Sequence, residues 1–411
     1  MSGHKRFQAV SWAVAYIVFT GPAVALAIDG TPVWLQSPVG AAGAGATLSS
    51  PVLAFDHFGT PAVSWSAFGG PPGTDAVSRS ERSGLGLWAT RSVSTGAGRQ
   101  TALSFDRAER PAIAWIDDIG AVRAQVDDGA TQTVVANGAN VGQPALSLTH
   151  DLAGNLRGVF SGATPGAFSS ISESGGVVSS ASVGTLPGVN SLMDLRLTTD
   201  GGGLAHLIAR ADLAAGGEGV IIASEPSFGG NWPSTVLAGA DTVNGVGIAR
   251  DPGDDNVALA YTTFEAGTNT SSLFYAKFDG ITLNTTQVLS STSASFGDIS
   301  LAFDLSDGQP AIAFEQQLLS PFSEQLMFAY LDATATWQTS LVDDTISMSN
   351  AQNTLRGPSL AFDDFGTSFP AIAYIDADES LAVAFDPPGV PEPSTLFLLV
   401  CGLAIVAVRR R

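Results

Sequence analysis

The chain has 411 residues, of which only 14% are charged, and a formal net charge of −20. An ordinary globular protein has about 25% charged residues. A nucleic-acid-binding protein needs a basic face, so the negative net charge excludes that class. The single cysteine, Cys401, has no partner for an intrachain disulfide, which excludes a disulfide scaffold.

The N-terminus has the pattern of a secretory signal peptide. His4, Lys5 and Arg6 precede an apolar stretch over 10–27, which ends in the small residues Ala25 and Ala27. Small residues at these two positions are typical of a cleavage site. The sequence therefore predicts a signal peptide over 1–27. The alternative is a retained membrane anchor, which Gly21-Pro22 disfavours by interrupting the run.

One phrase recurs seven times between the two ends. It consists of an apolar strand ending in Phe-Asp, a short turn, and a second strand such as Pro-Ala-Ile-Ala followed by an aromatic residue. The copies fall near 49–65, 101–115, 144–160, 191–207, 245–261, 298–314 and 357–374. Residues alternate with a period of two in each half, which indicates a β-hairpin.

Two more strands follow most hairpins before the next copy begins. Four strands per roughly 50 residues, repeated seven times, predict an all-β, seven-bladed β-propeller over 28–389. A β-sandwich array or a β-solenoid is the alternative fold. The last blade lacks a fourth strand, and the segment 31–39 resembles the fourth strands of the other blades. We expect it to complete that blade, with Trp34 near Leu381, and to remove the open edges of the ring.

The aspartates that end the first strand are candidate turn caps, because a short carboxylate can accept hydrogen bonds from turn amides. They are Asp56, Asp106, Asp251, Asp304 and Asp363, with Thr149 and Thr198 in the two remaining copies. Ca²⁺ ligation and catalysis are the alternative roles. The acidic loops 251–255 and 376–379 are further possible Ca²⁺ ligands, although neither matches an EF-hand. No other cofactor is predicted.

The histidines, Lys277 and the tryptophans are further candidates for functional roles. His57, His150 and His206 belong to three different copies, so turn and strand roles are expected, with a shared metal site as the alternative. Lys277 is expected to be solvated. Five tryptophans recur at regular positions and predict packing between blades, whereas Trp88 is the candidate for stacking on a sugar. The five are Trp34, Trp65, Trp115, Trp232 and Trp337.

The C-terminus contains three ordered features: the box Val390, Pro391, Glu392 and Pro393, an apolar segment over about 395–408, and the basic cluster Arg409, Arg410 and Arg411. This arrangement resembles the PEP-CTERM sorting signal of Gram-negative bacteria. The resemblance implies recognition by an exosortase, a membrane-anchored precursor and transfer to the cell surface or extracellular matrix. It also implies a link to exopolysaccharide. The alternative is a buried helix of the domain.

Physical arguments agree with that resemblance. The three terminal arginines favour a cytoplasmic end, which leaves the bulk of the chain outside the cytoplasm. An apolar run of this length is short for a bilayer span, but local thinning and arginine snorkelling accommodate the mismatch. Five of the 18 basic residues and none of the 38 acidic ones lie in 1–27 and 409–411, so the remainder carries a net charge of −25.

Three functions remain open. The first is a binding or structural protein of the cell surface or matrix, with carbohydrate as its ligand. The second is a polysaccharide hydrolase or lyase with carboxylates at the channel mouth, and the third is a passive surface coat. The sequence has no nucleophile elbow, no zinc-protease helix motif and no phosphate-binding loop, so no catalytic residue is assigned.

Overall fold

The computed structural model describes 34–386, except for 42, 44, 71–74, 84–85, 97, 143–144, 227–231, 281, 333, 349–356 and 364–367. The side chain of Ser50 is also outside the description. The predicted signal peptide over 1–27 and the predicted sorting signal over 390–411 lie outside the described residues. Among those described, no helix is long and apolar enough to cross a membrane.

The described residues form seven four-stranded antiparallel sheets, which confirms the seven-bladed all-β propeller. The first strand of each blade faces the central channel. These first strands, for blades 1 to 7, are β2 (Thr47–Phe55), β6 (Gly98–Phe105), β10 (Leu146–His150), β14 (Val189–Thr199), β18 (Thr242–Arg250), β22 (Ala294–Phe303) and β26 (Ser359–Phe362). The second strands are β3 (Pro61–Phe68), β7 (Pro111–Asp117), β11 (Leu156–Ser161), β15 (Ala205–Leu213), β19 (Val257–Glu265), β23 (Pro310–Leu319) and β27 (Pro370–Ile375).

The outer half of each blade follows the same order. The third strands are β4 (Ala76–Arg82), β8 (Val122–Val126), β12 (Ala167–Ser174), β16 (Glu218–Ser224), β20 (Thr270–Phe278), β24 (Phe322–Leu331) and β28 (Ser380–Phe385). The fourth strands are β5 (Trp88–Ser94), β9 (Gln132–Val135), β13 (Val177–Thr185), β17 (Ser234–Ala240), β21 (Leu283–Ser291), β25 (Trp337–Asp343) and, in blade 7, β1 (Leu35–Ala41).

The ring is closed by the two ends of the described chain. Strand β1 pairs antiparallel with β28, so that Leu35 lies opposite Phe385 and Ala41 lies opposite Ser380. The predicted closure of the last blade is therefore confirmed, but its predicted register is wrong: Gly40 lies opposite Leu381, and Trp34 is at the other end of the strand. The earliest strand of the described chain therefore supplies the outermost strand of the last blade. Because closure uses backbone hydrogen bonds rather than packing alone, it pairs the free edge of β28.

Apolar side chains fill the space between neighbouring blades. Seven buried clusters are present among the described residues, one for each pair of adjacent blades. Between blades 5 and 6, for example, the fully buried rings of Phe296 and Phe314 meet edge to face with centroids 5.7 Å apart. Burial of each such ring contributes about 1.5–3 kcal/mol.

Serine hydroxyls add polar links around the channel. The amide of Leu197 donates to Ser147 Oγ at 3.0 Å, the amide of Leu360 donates to Ser300 Oγ at 3.0 Å, and the amide of Leu53 donates to Ser359 Oγ at 2.9 Å. Each link joins the first strand of one blade to that of the next. The channel cavity between these strands has a volume of about 210 Å³ and is lined by residues from all seven blades.

Candidate functional site

The predicted aspartates lie in the turns between first and second strands, on what we call the Asp-turn face. Asp56 Oδ1 accepts the amides of Phe58 at 2.9 Å and Thr60 at 2.7 Å. Asp106, Asp251 and Asp304 likewise accept the amide two residues further along. Asp363 begins its turn in the same way, its amide donating to Phe369 O at 3.0 Å, but 364–367 lie outside the described residues.

Blades 3 and 4 correct the sequence alignment. The turn position is occupied by Asp151 and Asp200, not by Thr149 and Thr198, which lie within the first strands. Asp151 Oδ1 accepts the amides of Ala153 and Asn155, each at 2.9 Å. Asp200 Oδ1 accepts those of Gly202 and Leu204 at the same distance. All seven blades therefore carry aspartate at this position. The sequence-based assignment of Thr149 and Thr198 was two residues too early, because the apolar residues of these strands alternate with a period of two.

The described residues contain no cluster that supports Ca²⁺ ligation by the acidic loops or a metal site shared by the histidines. Among the described residues, no group of three or more His, Cys, Asp or Glu side chains is arranged to hold a metal ion. In the loop 376–379, Asp376 accepts the amides of Asp378 at 2.9 Å and Ser380 at 3.0 Å, as a turn cap does. In the loop 251–255, Asp251 contacts Lys277 Nζ, so this lysine is paired rather than simply solvated.

The tryptophans pack between blades, and Trp88 is no exception. Trp34, Trp232 and Trp337 each meet an aromatic ring on the third strand of the preceding blade, at 5.1, 5.5 and 5.4 Å between centroids. Trp88 has the same relation to Phe385, at 6.3 Å, and its Nε1 donates to Ser37 Oγ at 3.0 Å. The prediction that Trp88 is free to stack on a sugar is therefore wrong, because the ring completes the interface between blades 7 and 1.

The three histidines lie apart. The amide of His57 donates to Glu109 Oε2 at 2.8 Å in an exposed turn of blade 1. His150 ends strand β10, with Nδ1 2.7 Å from Ser104 Oγ, and burial lowers its pKa. His206, on β15, lies between Asp200 and Ser224. They do not form one site.

A groove opens between blades 1 and 2 at the ends of the strands opposite the Asp-turn face, on what we call the groove face. Its volume is about 610 Å³, and it is bounded by the segment 92–96 and by the turn between β7 and β8. Antiparallel pairing places this turn at the opposite end of β7 from Asp106. The lining combines the hydroxyl residues Ser92, Ser94, Thr95 and Thr131 with Trp115, Asp117, Asp118, Ile119 and Arg123.

The groove has a rigid base and an exposed rim. Asp117 Oδ1 accepts the amide of Ala121 at 2.7 Å, and its Oδ2 accepts Arg123 Nε at 3.0 Å. Arg123 Nη1 also donates to Thr133 Oγ1 at 3.1 Å. Asp118 is exposed on the same turn, and the Ile119 side chain is 67% exposed beside it. A fixed turn thus presents a solvated carboxylate and an apolar surface.

A buried polar group lies in the channel wall, and we call Asp194, Arg196 and Asp298 the channel cluster. Arg196 Nη2 is 3.4 Å from Asp194 Oδ2, and both carboxylates are buried. Blade 5 has glycine between them: a β-carbon at Gly245 would lie 3.0 Å from Asp298 Oδ1. Burial raises the pKa of Asp298 to about 7, and the charge of Asp194 adds to the effect. Sequence reasoning missed this group because its members have no repeated motif.

A second surface cavity differs from the groove in the residues that line it. A cavity of about 270 Å³ near blades 5 and 6 is lined by Asn244, Phe264, Asn269 and Gln317, among others. It lacks the acidic turn of the groove between blades 1 and 2. The two are therefore not copies of one site.

Comparison with known proteins supports the fold alone. No family model matches the chain, and no curated protein matches it. Among solved structures, a protein of unknown function from Dyadobacter fermentans aligns with a TM-score of 0.51 and 10% identity, covering 86% of this chain and 99% of its own.

Two other structures align more loosely. The Hadza microbial sialidase Hz136 has a TM-score of 0.48 and 12% identity, covering 86% of this chain and 68% of its own. AofleA from Arthrobotrys oligospora has a TM-score of 0.45 and 12% identity, covering 78% of this chain and 93% of its own. At these scores they support no inference about function.

Proposed function

We propose that the protein is an exported surface protein that binds carbohydrate in the groove between blades 1 and 2. The observation that carries this proposal is the lining of the groove. Its volume of about 610 Å³ falls in the range of 300–1,000 Å³ that is usual for small-ligand pockets. A sugar ring presents hydroxyls at its edge and C–H groups on its faces, and the groove offers Asp118 and several hydroxyls for the first, and Ile119 for the second.

The charge of the chain favours a neutral sugar. Outside the two terminal segments the net charge is −25, so an anionic polymer would be repelled at the low ionic strength where such charges act over the longest range. Arg123 is already bonded to Asp117, which leaves it weaker as a partner for a ligand carboxylate. Neutral hexoses and N-acetylated amino sugars are therefore the ligand class.

The export proposal follows from the ends of the chain. A signal peptidase would cut after Ala27, and an exosortase would act near Pro391-Glu392-Pro393 before transfer to the cell surface or matrix of a Gram-negative bacterium. Both described ends lie side by side, because Leu35 pairs with Phe385 at the Asp-turn end of blade 7. The described chain therefore begins and ends at the face opposite the groove, which is compatible with attachment through the ends and a groove that is open to ligand.

A glycan array with the purified full-length chain, in Ca²⁺ and in chelator, tests binding. We expect saturable binding to neutral glycans that does not depend on Ca²⁺. Asp118→Ala should weaken it, whereas Asp378→Ala should not, because Asp378 is an exposed carboxylate on the corresponding turn of blade 7. A blank array in both conditions would contradict the proposal and favour the coat function.

The export proposal is tested separately in cells. Mass spectrometry of the surface fraction should find an N-terminus at Ile28 and loss of the segment that follows the Pro-Glu-Pro box. Replacement of Glu392 by Ala should leave the uncut precursor in the membrane fraction. An intact C-terminus on surface protein would contradict exosortase processing.

The hydrolase alternative has one observation in its favour, the channel cluster, because a carboxyl with a pKa of about 7 can serve as a general acid at neutral pH. Asp194 is only 7% exposed and Asp298 only 3%, whereas carboxylates that cleave a polysaccharide must contact it. Release of reducing ends that is lost in Asp298→Asn would favour this alternative over simple binding.

A further inference from the structure

Blade 4 carries a polar arrangement on the Asp-turn face that belongs neither to the groove nor to the channel cluster. His206 Nδ1 lies 2.8 Å from Ser224 Oγ, and His206 Nε2 lies 3.1 Å from Asp200 Oδ2. Asp200 is itself fixed, because its Oδ1 accepts two amides of the turn. A serine, an imidazole and a carboxylate are thus joined in series, as an activated serine requires.

The fold does not require these residues. His206 lies opposite Ser224 in the register of β15 and β16. The pairs at the equivalent position in the other blades are Ala62–Glu81, Ala112–Val126, Arg157–Ser172, Ala258–Lys277, Ala311–Tyr330 and Ala371–Phe385. Five of the seven blades have alanine where blade 4 has histidine. A second strand therefore forms and packs without a base at this point.

A second histidine–serine pair provides an internal contrast. His150 Nδ1 is 2.7 Å from Ser104 Oγ across blades 2 and 3. Within the described residues, however, no carboxylate is hydrogen-bonded to the other ring nitrogen of His150. Only the pair in blade 4 has the third group that orients the ring and stabilises the imidazolium that forms when the base takes a proton.

We propose that Ser224 is a nucleophile that reacts with carboxylic esters, with His206 as its base and Asp200 as the group that orients the base. Ser224 Oγ forms a bond to the ester carbonyl carbon while its proton passes to His206 Nδ1. The ester C–O bond then breaks, and the leaving alkoxide takes that proton. Water deprotonated by His206 cleaves the acyl-serine, which releases the carboxylic acid and restores the hydroxyl.

Burial and charge around Ser224 are suited to this step. His206 is 7% exposed, whereas Ser224 is half-buried at the end of β16, so the base is shielded and the serine is the more accessible of the two residues. Glu225, the next residue, has Oε1 3.7 Å from Nη1 of Arg157 on blade 3. The Arg157 guanidinium is shared with Asp151, whose Oδ2 lies 3.7 Å from its Nε, and it offsets the charge of Glu225 beside Ser224.

An activity-based probe tests the assignment directly. The full-length protein is treated with a fluorophosphonate, and the modified serine is located by peptide mass spectrometry. We expect modification at Ser224, no modification there in Ser224→Ala, and at least a tenfold slower reaction in His206→Gln and Asp200→Asn. The matched variants Ser104→Ala and His150→Gln should react like the parent. Hydrolysis of p-nitrophenyl acetate should follow the same order.

An unmodified Ser224 in the folded parent protein would overturn the proposal, as would a rate that is unchanged in His206→Gln. If His206→Gln unfolds, Ser224→Cys is compared with the double variant Ser224→Cys/Asp200→Asn, in which the thiol has the same exposure but no carboxylate orients the base. Ser224→Cys should be alkylated by iodoacetamide at least tenfold faster than the double variant. Equal rates would also overturn the proposal.

Discussion

The two faces of the propeller differ in how strictly they repeat. On the Asp-turn face, six fully described turns use the same device, in which an aspartate at the end of the first strand binds the amide two residues on. On the groove face, the turns between second and third strands vary: blade 2 has Asp117 to Gly120, whereas blade 6 has Ser320-Pro321. We infer that the repeated turns are those that each blade needs in order to fold. The variable turns are positions where a binding site can form without loss of stability.

One turn on the Asp-turn face, that of blade 4, differs from the others in the partner of its aspartate. The second oxygen of the turn aspartate binds Arg110 in blade 2 and Asn155 in blade 3, but His206 in blade 4. The turn geometry is unchanged by this choice. Function can therefore enter even a repeated turn through the oxygen that the turn itself does not use.

The packing between blades is common to both faces, so its loss should have the largest effect. Phe314→Ala removes a fully buried ring between blades 5 and 6 and should cost about 3–5 kcal/mol of unfolding free energy. Urea unfolding measures this. Leu341→Ala, at a side chain that is 48% exposed, should change stability by less than about 0.5 kcal/mol. Equal losses would mean that the interface is not packed as described.

The channel cluster should show its effect through pH. The pKa of Asp298 is about 7 in the folded chain, raised above its usual value of 3.8 mainly by burial. The folded state therefore holds this proton more tightly, so the contribution of Asp298 to stability is fully present below pH 3.8 and is lost as pH rises to about 7. Asp298→Asn keeps an uncharged side chain and should gain on the order of 3 kcal/mol relative to the parent at pH 8.

The control for that prediction is the same pair of proteins at pH 4, where the gain should nearly vanish because Asp298 is protonated in the parent. Unfolding at the two pH values measures the difference. A gain that is independent of pH would show that ionisation of Asp298 is not its cause.

The turn aspartates should matter for stability at an intermediate level. Asp106→Ala removes hydrogen bonds from the amides of Ala108 and Arg110 and from Arg110 Nε. Bonds to a buried carboxylate stabilise strongly, so we expect a loss of about 2 kcal/mol in thermal or urea unfolding. Asp118→Ala, on the groove face, should lose less than about 0.5 kcal/mol. A similar loss in both would remove the distinction between the faces.

The smallest expected effect on free energy is on binding. Asp118→Ala should weaken binding of the array-identified glycan at least tenfold, which is about 1.4 kcal/mol. Titration calorimetry of the parent, Asp118→Ala and Asp378→Ala measures it. If Asp378→Ala weakens binding as much, then a general effect of surface charge, and not the groove, explains the result.

The fold could be predicted from the sequence because each blade is encoded by local patterns. Alternating strands, Asp turns and the segment 31–39 predict seven blades and a shared last blade, and β1 pairs with β28 in the structure. Two of the turn aspartates, Asp151 and Asp200, were missed because the alternating leucines of their first strands allow the repeat to be placed two residues too early. Trp88 was assigned wrongly because its register in β5 is not evident from sequence spacing.

The candidate sites could not be predicted from the sequence, because each combines residues from separate segments. The groove joins 92–96 of blade 1 to the Asp117 turn of blade 2. The channel cluster joins Asp194 of blade 4 to Asp298 of blade 6 past Gly245 of blade 5. His206 was noted as unusual on a second strand, but its partner Ser224 lies 18 residues away. Such contacts depend on register and on approach between blades, which no single segment encodes.

Binding of the sugar in the groove between blades 1 and 2 is our central proposal. Hydrogen–deuterium exchange of the full-length protein, with and without a saturating array-identified glycan, tests this without any mutation. We predict slower exchange in 92–96 and 117–123, and unchanged exchange in the turns that follow Asp56, Asp106 and Asp304. Protection confined to the Asp-turn face or to the channel strands, with no change in 92–96 and 117–123, would contradict it.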